Sequence, residues 1–181
     1  MELGHKAVTA PGIATQLWQA LRHVASVPAV AEAEPSLAER LGYGDAPAIM
    51  IGTDRAGLVL RPWMRDAGFR MQSVGDLAAT ITRLCHCPDQ ASLAMVSIDG
   101  FGGIIETIKP LRQLRECAPH LPLIVMSAEV EGSDFSTERL ALCDVTLKTP
   151  VGPAALRRAL IDAKDNNAVW QARVRDLRQA H

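Results

Sequence analysis

The feature that most constrains the fold is a series of five short apolar runs, spaced about 20 to 30 residues apart by segments with helical periodicity. The runs cover residues 48–51, 69–74, 93–98, 121–126 and 145–147. Short runs that are apolar on both faces predict strands of a parallel sheet with helices on both sides. Segments 76–84 and 104–117 predict two of these helices, and a fourth helix is predicted to begin near 136–139. We therefore predict an α/β fold with a doubly wound, five-stranded parallel sheet.

The composition and net charge of the chain exclude several classes of function. The chain has 181 residues, of which 48% are hydrophobic and 22% are charged, so it predicts a folded protein of one domain plus an appendage. The net charge of −1 gives no basic face for nucleic acid. We expect a cytoplasmic protein, because no apolar run reaches 18 residues and no signal peptide pattern is present. In that reducing compartment, the four cysteines are expected to be thiols rather than bridges.

Periodicity divides the chain into three parts. Residues 1–46 predict an N-terminal helical extension, residues 47–165 the α/β domain, and residues 166–181 an extended C-terminal helix. In the first part, Ile13, Leu17 and Val24 fall on one stripe of a helix. A second, short helix is predicted after Ser36, which forms a capping box with Glu39.

The C-terminal part carries a heptad seam that includes Trp170, Val174 and Leu177. A single helix of this length is marginal in water, so this apolar stripe requires a partner surface. Two alternatives stay open from the sequence: a homodimer, or an intramolecular cap in which the N-terminal stripe is the partner.

Ligand sites of doubly wound folds lie at the carboxyl ends of the strands, so the residues that directly follow the runs are the candidate site. They are Gly52, Thr53, Asp54, Ser97, Asp99, Ser127, Lys148 and Thr149.

Over residues 46–165 the chain resembles the receiver domain of two-component response regulators, which has a flavodoxin-like fold. The interval from Ser97 to Ser127 is 30 residues, and that from Ser127 to Thr149 is 22. These intervals match those between the family's phosphoacceptor Asp, its hydroxyl residue and the Lys that precedes a proline. Segments 93–97, 121–128 and 148–151 look like the family's third, fourth and fifth strand endings.

The departures from this family bear on function. The resemblance implies Mg²⁺ held by acidic residues after the first strand, a phosphoacceptor Asp and a neutralising Lys. In this chain Gly52 and Thr53 occupy the acidic positions, Ser97 the acceptor position and Thr149 the Lys position. A serine without an adjacent base is a poor nucleophile, and Mg²⁺ needs carboxylate oxygens. We therefore expect no cofactor and no metal.

Two alternatives stay open at this site. Asp99 becomes the phosphoacceptor if it converges with Asp54, Ser127 and Lys148, in which case Mg²⁺ binds between Asp54 and Asp99. Asp99 shares a face with Ser97 if the third strand runs on, although the glycines at 100, 102 and 103 favour a loop. Alternatively, the chain is a small flavodoxin-like nucleotide-binding protein or enzyme that uses Asp54 and Asp99.

The preferred interpretation is a degenerate receiver that acts through protein contacts without phosphorylation or catalysis. The resemblance implies a histidine kinase, a phosphotransferase or another regulator as the partner. We expect neither nucleic acid nor a membrane as a partner.

Overall fold

A computed structural model describes residues 34–179, except for the side chains of Asp54 and Ala56. The strands are β1 (Ala48–Ile51), β2 (Met71–Val74), β3 (Leu93–Ser97), β4 (Leu123–Ser127) and β5 (Val145–Lys148). The α-helices are α1 (Leu37–Arg40), α2 (Asp54–Asp66), α3 (Leu77–His86), α4 (Gly103–Cys117) and α5 (Pro153–Gln179). Two 3₁₀ helices cover Pro88–Gln90 and Ile98–Phe101.

The five strands form one parallel sheet in the order β2-β1-β3-β4-β5. In the central register, Ala48 pairs with both Met71 and Leu93. This order reverses direction between β1 and β3, as in doubly wound flavodoxin-like folds. The predicted fold class and the extended C-terminal helix are confirmed.

Side-chain alternation along the strands builds two hydrophobic cores, one on each face of the sheet. Met50, Met95 and Met126 point to the face covered by α1, α2 and α5. Ile49, Ile51 and Val96 point to the face covered by α3 and α4. Because both faces are covered, the central strands β1, β3 and β4 are apolar up to their last residues.

The compact unit begins at Pro35. The predicted capping box is confirmed: Ser36 Oγ accepts a hydrogen bond from the Glu39 amide, and Glu39 Oε2 accepts one from the Ser36 amide. Leu37 and Tyr43 are buried in the core beside α2 and α5, so residues 35–46 pack with the α/β body. The predicted stripe of Ile13, Leu17 and Val24 lies outside the described residues.

The predicted fourth helix near 136–139 is wrong. The segment between β4 and β5 has no helix; it forms turns, and Asp134 makes an antiparallel bridge with Thr146. Asp134 Oδ1 accepts a hydrogen bond from the Ser136 amide, and Ser136 Oγ accepts one from the Glu138 amide. These local side-chain bonds satisfy the backbone donors that a helix would otherwise use.

The expectation that all four cysteines are thiols is also wrong, because Cys85 and Cys117 form a disulfide. They lie near the ends of α3 and α4, which pack side by side on one face, and their Cα atoms are 5.1 Å apart. Sequence separation, 32 residues here, gives no sign of this proximity.

A buried ion pair joins α4 to the amino-terminal edge of the sheet. Two nitrogens of Arg115 donate to the two carboxylate oxygens of Asp144 at 3.0 and 2.8 Å, and both side chains are at most 1% exposed. Arg115 Nε also donates to the Leu140 carbonyl, and Asp144 also accepts from the Leu123 amide. The pair is therefore fully hydrogen-bonded, as buried charges require.

Helix α5 is fixed to the body by two neighbouring asparagines. The Asn166 amide donates to the carbonyl of Asp144 at 2.7 Å, and the Asn167 amide donates to the carbonyls of Pro119 and Leu121. After Asn167, the residues of the heptad seam make other contacts: Trp170 lies against the Arg115 guanidinium, while Leu177 is 61% exposed.

Among the described residues, no helix combines the length and apolar character needed to cross a membrane.

Candidate functional site

A cleft of about 430 Å³ lies at the carboxyl ends of β3, β4 and β5, next to the first turns of α2. Three of the predicted site residues line it: Thr53, Ser97 and Thr149. The remaining described lining residues are Arg55, Val59, Leu60, Met126, Ala128, Pro150 and Val151.

Strand alternation explains why only some of the predicted residues meet in this cleft. Ser97 follows Met95 on the face covered by α2 and α5. Chain direction then changes, because Ile98–Phe101 is a 3₁₀ helix rather than more strand. Asp99 therefore does not continue on the face of Ser97, and it is not among the lining residues of the cleft.

Asp99 instead binds the end of β4. Its Oδ1 accepts a hydrogen bond from Ser127 Oγ at 2.5 Å, and its Oδ2 accepts one from the Ala128 amide at 2.8 Å. Ser127 Oγ in turn accepts from the Glu129 amide at 3.0 Å. The structure thus brings Asp99 and Ser127 together, but as a hydrogen-bonded closure of the β3 and β4 loops.

Gly52 is in close contact with the acceptor position. A Cβ placed on Gly52 would lie 2.9 Å from the Cβ of Ser97, a distance shorter than side chains tolerate. A carboxylate-bearing residue at position 52 therefore does not fit beside Ser97 without movement of the backbone. Thr53, the next residue, caps no helix amide with its side chain.

The side chains of Lys148 and Thr149 lie in different places. The Lys148 ammonium donates to the Glu131 carbonyl at 3.0 Å, in the connection between β4 and β5, and Lys148 is not a lining residue of the cleft. Thr149 takes the cleft position. The ammonium group of Lys148, two residues before Pro150, is thus bound to the connection between β4 and β5.

With this geometry established, comparison with known proteins identifies the fold. A scan against protein-family models finds no match, and a search of curated proteins finds none. Solved structures do match. A response regulator receiver domain protein from Clostridium thermocellum has a TM-score of 0.53 at 13% identity, covering 68% of this chain and 98% of its own. The chain has the receiver fold.

Two further receivers support this assignment. A response regulator from Thermotoga maritima is 19% identical with a TM-score of 0.52, and the match covers 66% of this chain and 98% of that one. The signal receiver domain of a modulated diguanylate cyclase from Desulfovibrio desulfuricans is 22% identical with a TM-score of 0.50, covering 69% and 98%.

No described side chain that lines the cleft carries a carboxylate, the kind of ligand that Mg²⁺ prefers. Among the side chains that the structure describes, which leave out Asp54, no group of three or more His, Cys, Asp or Glu is arranged to hold a metal. Both oxygens of Asp99 already accept hydrogen bonds from the protein. The side chain of Asp54, the first residue of α2, lies outside the description, so its predicted convergence with Asp99 stays a prediction.

Sequence reasoning missed the apolar part of the cleft. Val59 and Leu60 reach it from the second turn of α2, and Met126 reaches it from β4. The sequence did contain one signal: Met126 precedes Ser127, and strand alternation sends these two neighbours to opposite faces. Arg55, the charged residue among the described lining, was not singled out because it stands in a helix start.

Proposed function

We propose that this receiver-like protein acts in signal transduction through protein contacts, without phosphorylation and without catalysis. The observation that supports the proposal is that hydroxyl residues, Ser97 and Thr149, line the cleft. The resemblance aligns these two residues with the family's phosphoacceptor Asp and its Lys. A hydroxyl without a base does not attack an acyl phosphate readily, and a hydroxyl cannot neutralise the transferred charge.

The competing function is phosphorylation of Asp99. The proximity of Asp99 and Ser127 favours it, because a hydroxyl beside the acceptor is a receiver feature. Against it stand the two hydrogen bonds that occupy both Asp99 oxygens and the binding of Lys148 to the Glu131 carbonyl. Without that cation near the acceptor, the negative charge added by phosphorylation has no described partner.

Acetyl phosphate with Mg²⁺ tests the proposal directly. We expect no phosphoryl adduct in the intact mass of the full chain, with a phosphorylatable receiver as the positive control. Beryllofluoride is expected to leave the spectra of the protein unchanged. An adduct that disappears in Asp99→Asn, but persists in Asp76→Asn, would overturn the proposal. Asp76 is a suitable control because its carboxylate caps α3 by accepting a hydrogen bond from the Ala79 amide, and it does not line the cleft.

Partner binding forms the second half of the proposal. The partner classes are a histidine kinase, a phosphotransferase or another regulator, and apolar side chains exposed on the helices, such as Ile105 at 80% and Leu58 at 64%, give contact area. Binding to such a partner is expected to be the same for the wild type and Asp99→Asn in a pull-down. Dependence of binding on phosphoryl donors would contradict this expectation.

The other predictions stay open. A homodimer through Trp170, Val174 and Leu177 is tested by sedimentation of the full chain beside Leu177→Asp. Nucleotide or flavin binding through Asp54 and Asp99 is tested by thermal shift. A cytoplasmic location stays a prediction, and the disulfide between Cys85 and Cys117 weighs against it, since such bonds are rare in reducing compartments.

A further inference from the structure

The cleft combines two kinds of lining that suit one kind of ligand. Apolar side chains form one part of the lining, and three hydroxyls and one guanidinium form the other. The apolar side chains are Val59, Leu60, Met126, Pro150 and Val151; the polar side chains are Thr53, Ser97, Thr149 and Arg55. Binding sites for small organic molecules have this composition, with mostly apolar walls and a few placed polar groups.

The polar groups of the cleft are available to a ligand. Within residues 34–179, the side chains of Thr53, Arg55, Ser97 and Thr149 make no hydrogen bond and no salt bridge to another described residue. Hydrogen-bonding groups that converge on a cavity of about 430 Å³ without protein partners can bind a ligand there. Asp99 does not compete for them, because its oxygens are bound to Ser127 and Ala128.

We propose that the cleft binds a small organic monoanion, with a carboxylate at one end and an apolar body at the other. Arg55 supplies a charge-assisted hydrogen bond to the carboxylate, and the hydroxyls of Ser97 and Thr149 donate to it. The apolar body lies against Val59, which is 55% exposed, and beside Pro150 and Val151. A bare inorganic anion would leave this wall uncovered, and a neutral lipid alcohol would leave Arg55 without a charge partner.

The inference goes beyond the proposed function and fails separately from it. An adduct from acetyl phosphate would refute the proposed function without changing ligand affinity in the cleft. Absence of carboxylate binding would refute the inference and leave contact signalling untouched.

Octanoate is the probe, with 1-octanol as its neutral counterpart and inorganic phosphate as its headgroup counterpart. The protein is the full chain with labelled methionine methyl groups, because Met126 is a lining residue of the cleft and its methyl resonance responds to binding there. We expect octanoate to shift the Met126 resonance at sub-millimolar to millimolar concentration. The expected affinity for octanol is about tenfold lower, since it lacks the charge-assisted bond. Phosphate is expected to leave the resonance unmoved.

Two variants assign the interaction. Arg55→Gln is expected to weaken octanoate binding about tenfold and to leave octanol binding unchanged. Arg65→Gln is the matched control: Arg65 lies on the same helix, outside the cleft, and is expected to bind octanoate as the wild type does. Ala128→Phe is expected to fill the cleft and abolish binding of both probes. Both Arg positions are exposed, so these variants keep the fold.

Any of three results with octanoate would overturn the inference: no Met126 shift at about 10 mM octanoate, equal affinity for octanoate and octanol, or equal weakening by Arg55→Gln and Arg65→Gln. A phosphate-induced shift as large as that from octanoate would also overturn it, because the apolar wall would then have no role.

Discussion

Replacement of Arg115 by Met is expected to be among the most damaging single changes in this protein. The substitution keeps the length and apolar stem of the side chain but removes the guanidinium. Asp144 then remains 0% exposed with its charge partner gone, although the Leu123 amide still donates to it. The contact of the guanidinium with the Trp170 ring, at 4.9 Å from its centroid, is lost as well.

The magnitude follows from this burial. Removing one partner of a buried, hydrogen-bonded ion pair costs about 3–5 kcal/mol, because the remaining charge is uncompensated. A domain of this size has a free energy of unfolding of about 5–15 kcal/mol, so the loss is a large fraction of the total. At roughly 2–4 °C per kcal/mol, the melting temperature falls by roughly 6–20 °C.

Urea denaturation followed by circular dichroism measures the loss. Arg112→Met is the matched control, since Arg112 lies on the same helix in an exposed pair with Glu116 at 3.9 Å. Such surface pairs contribute at most about 1 kcal/mol. The double variant Arg115→Met/Asp144→Asn is expected to be more stable than Arg115→Met alone, because it also removes the unpaired charge.

The deficit of Arg115→Met also depends on pH. Burial raises the pKa of the Asp144 carboxyl, and the Arg115 guanidinium opposes that rise. In the variant the folded-state pKa is therefore higher still, while the unfolded-state value is unchanged. A raised pKa gives stability at acid pH that is lost as the pH increases. The deficit should be smaller at pH 5 than at pH 8. A cost like that of Arg112→Met, or a deficit that grows in acid, would refute the reasoning.

Two further predictions concern the site and the core. Gly52 has φ +155°, a conformation that L residues rarely adopt, and a Cβ on it would lie 2.9 Å from that of Ser97. Gly52→Ala is therefore expected to cost about 1–3 kcal/mol in urea denaturation, and Gly52→Ala/Ser97→Gly is not expected to recover this loss, because the backbone strain remains; unchanged stability in the single variant would contradict the reasoning. Burial raises the pKa of Tyr43, whose hydroxyl donates to the Leu160 carbonyl at 2.7 Å, so this phenol stays neutral in the folded chain and the stability it adds is lost as the pH rises above its unfolded pKa. Because Tyr43 is the only tyrosine, phenolate absorbance in an alkaline titration is expected to appear only with unfolding.

The strands could be predicted because their signal is local. Segments 48–51 and 93–96 are apolar at every position, and each became a strand covered on both faces. The helix expected near 136–139 had no comparable signal. Turns take the place of this helix. Asp134 accepts a hydrogen bond from the Ser136 amide and also forms a bridge with Thr146, which belongs to β5. Pairing between distant segments is not encoded in the periodicity of either one.

The candidate site was predicted in position but not in grouping. Thr53, Ser97 and Thr149 line one cleft. Outside it, Asp99 binds Ser127, and Lys148 binds the Glu131 carbonyl in the connection between β4 and β5. Spacing along the chain cannot separate these two sets, because Ser97 and Asp99 are only two residues apart and Lys148 and Thr149 are adjacent. The face of the sheet on which a strand ends determines the set to which a residue belongs.

The sequence by itself determined the five parallel strands and the residue types that follow them, because residue type and periodicity are written along the chain. Only the tertiary structure decided that Asp99 closes onto Ser127, that Lys148 turns to Glu131, and that Arg115 meets Asp144 in the core. These contacts join residues 17 to 29 positions apart. Their distances are set by how helices and strands pack, which no local pattern specifies.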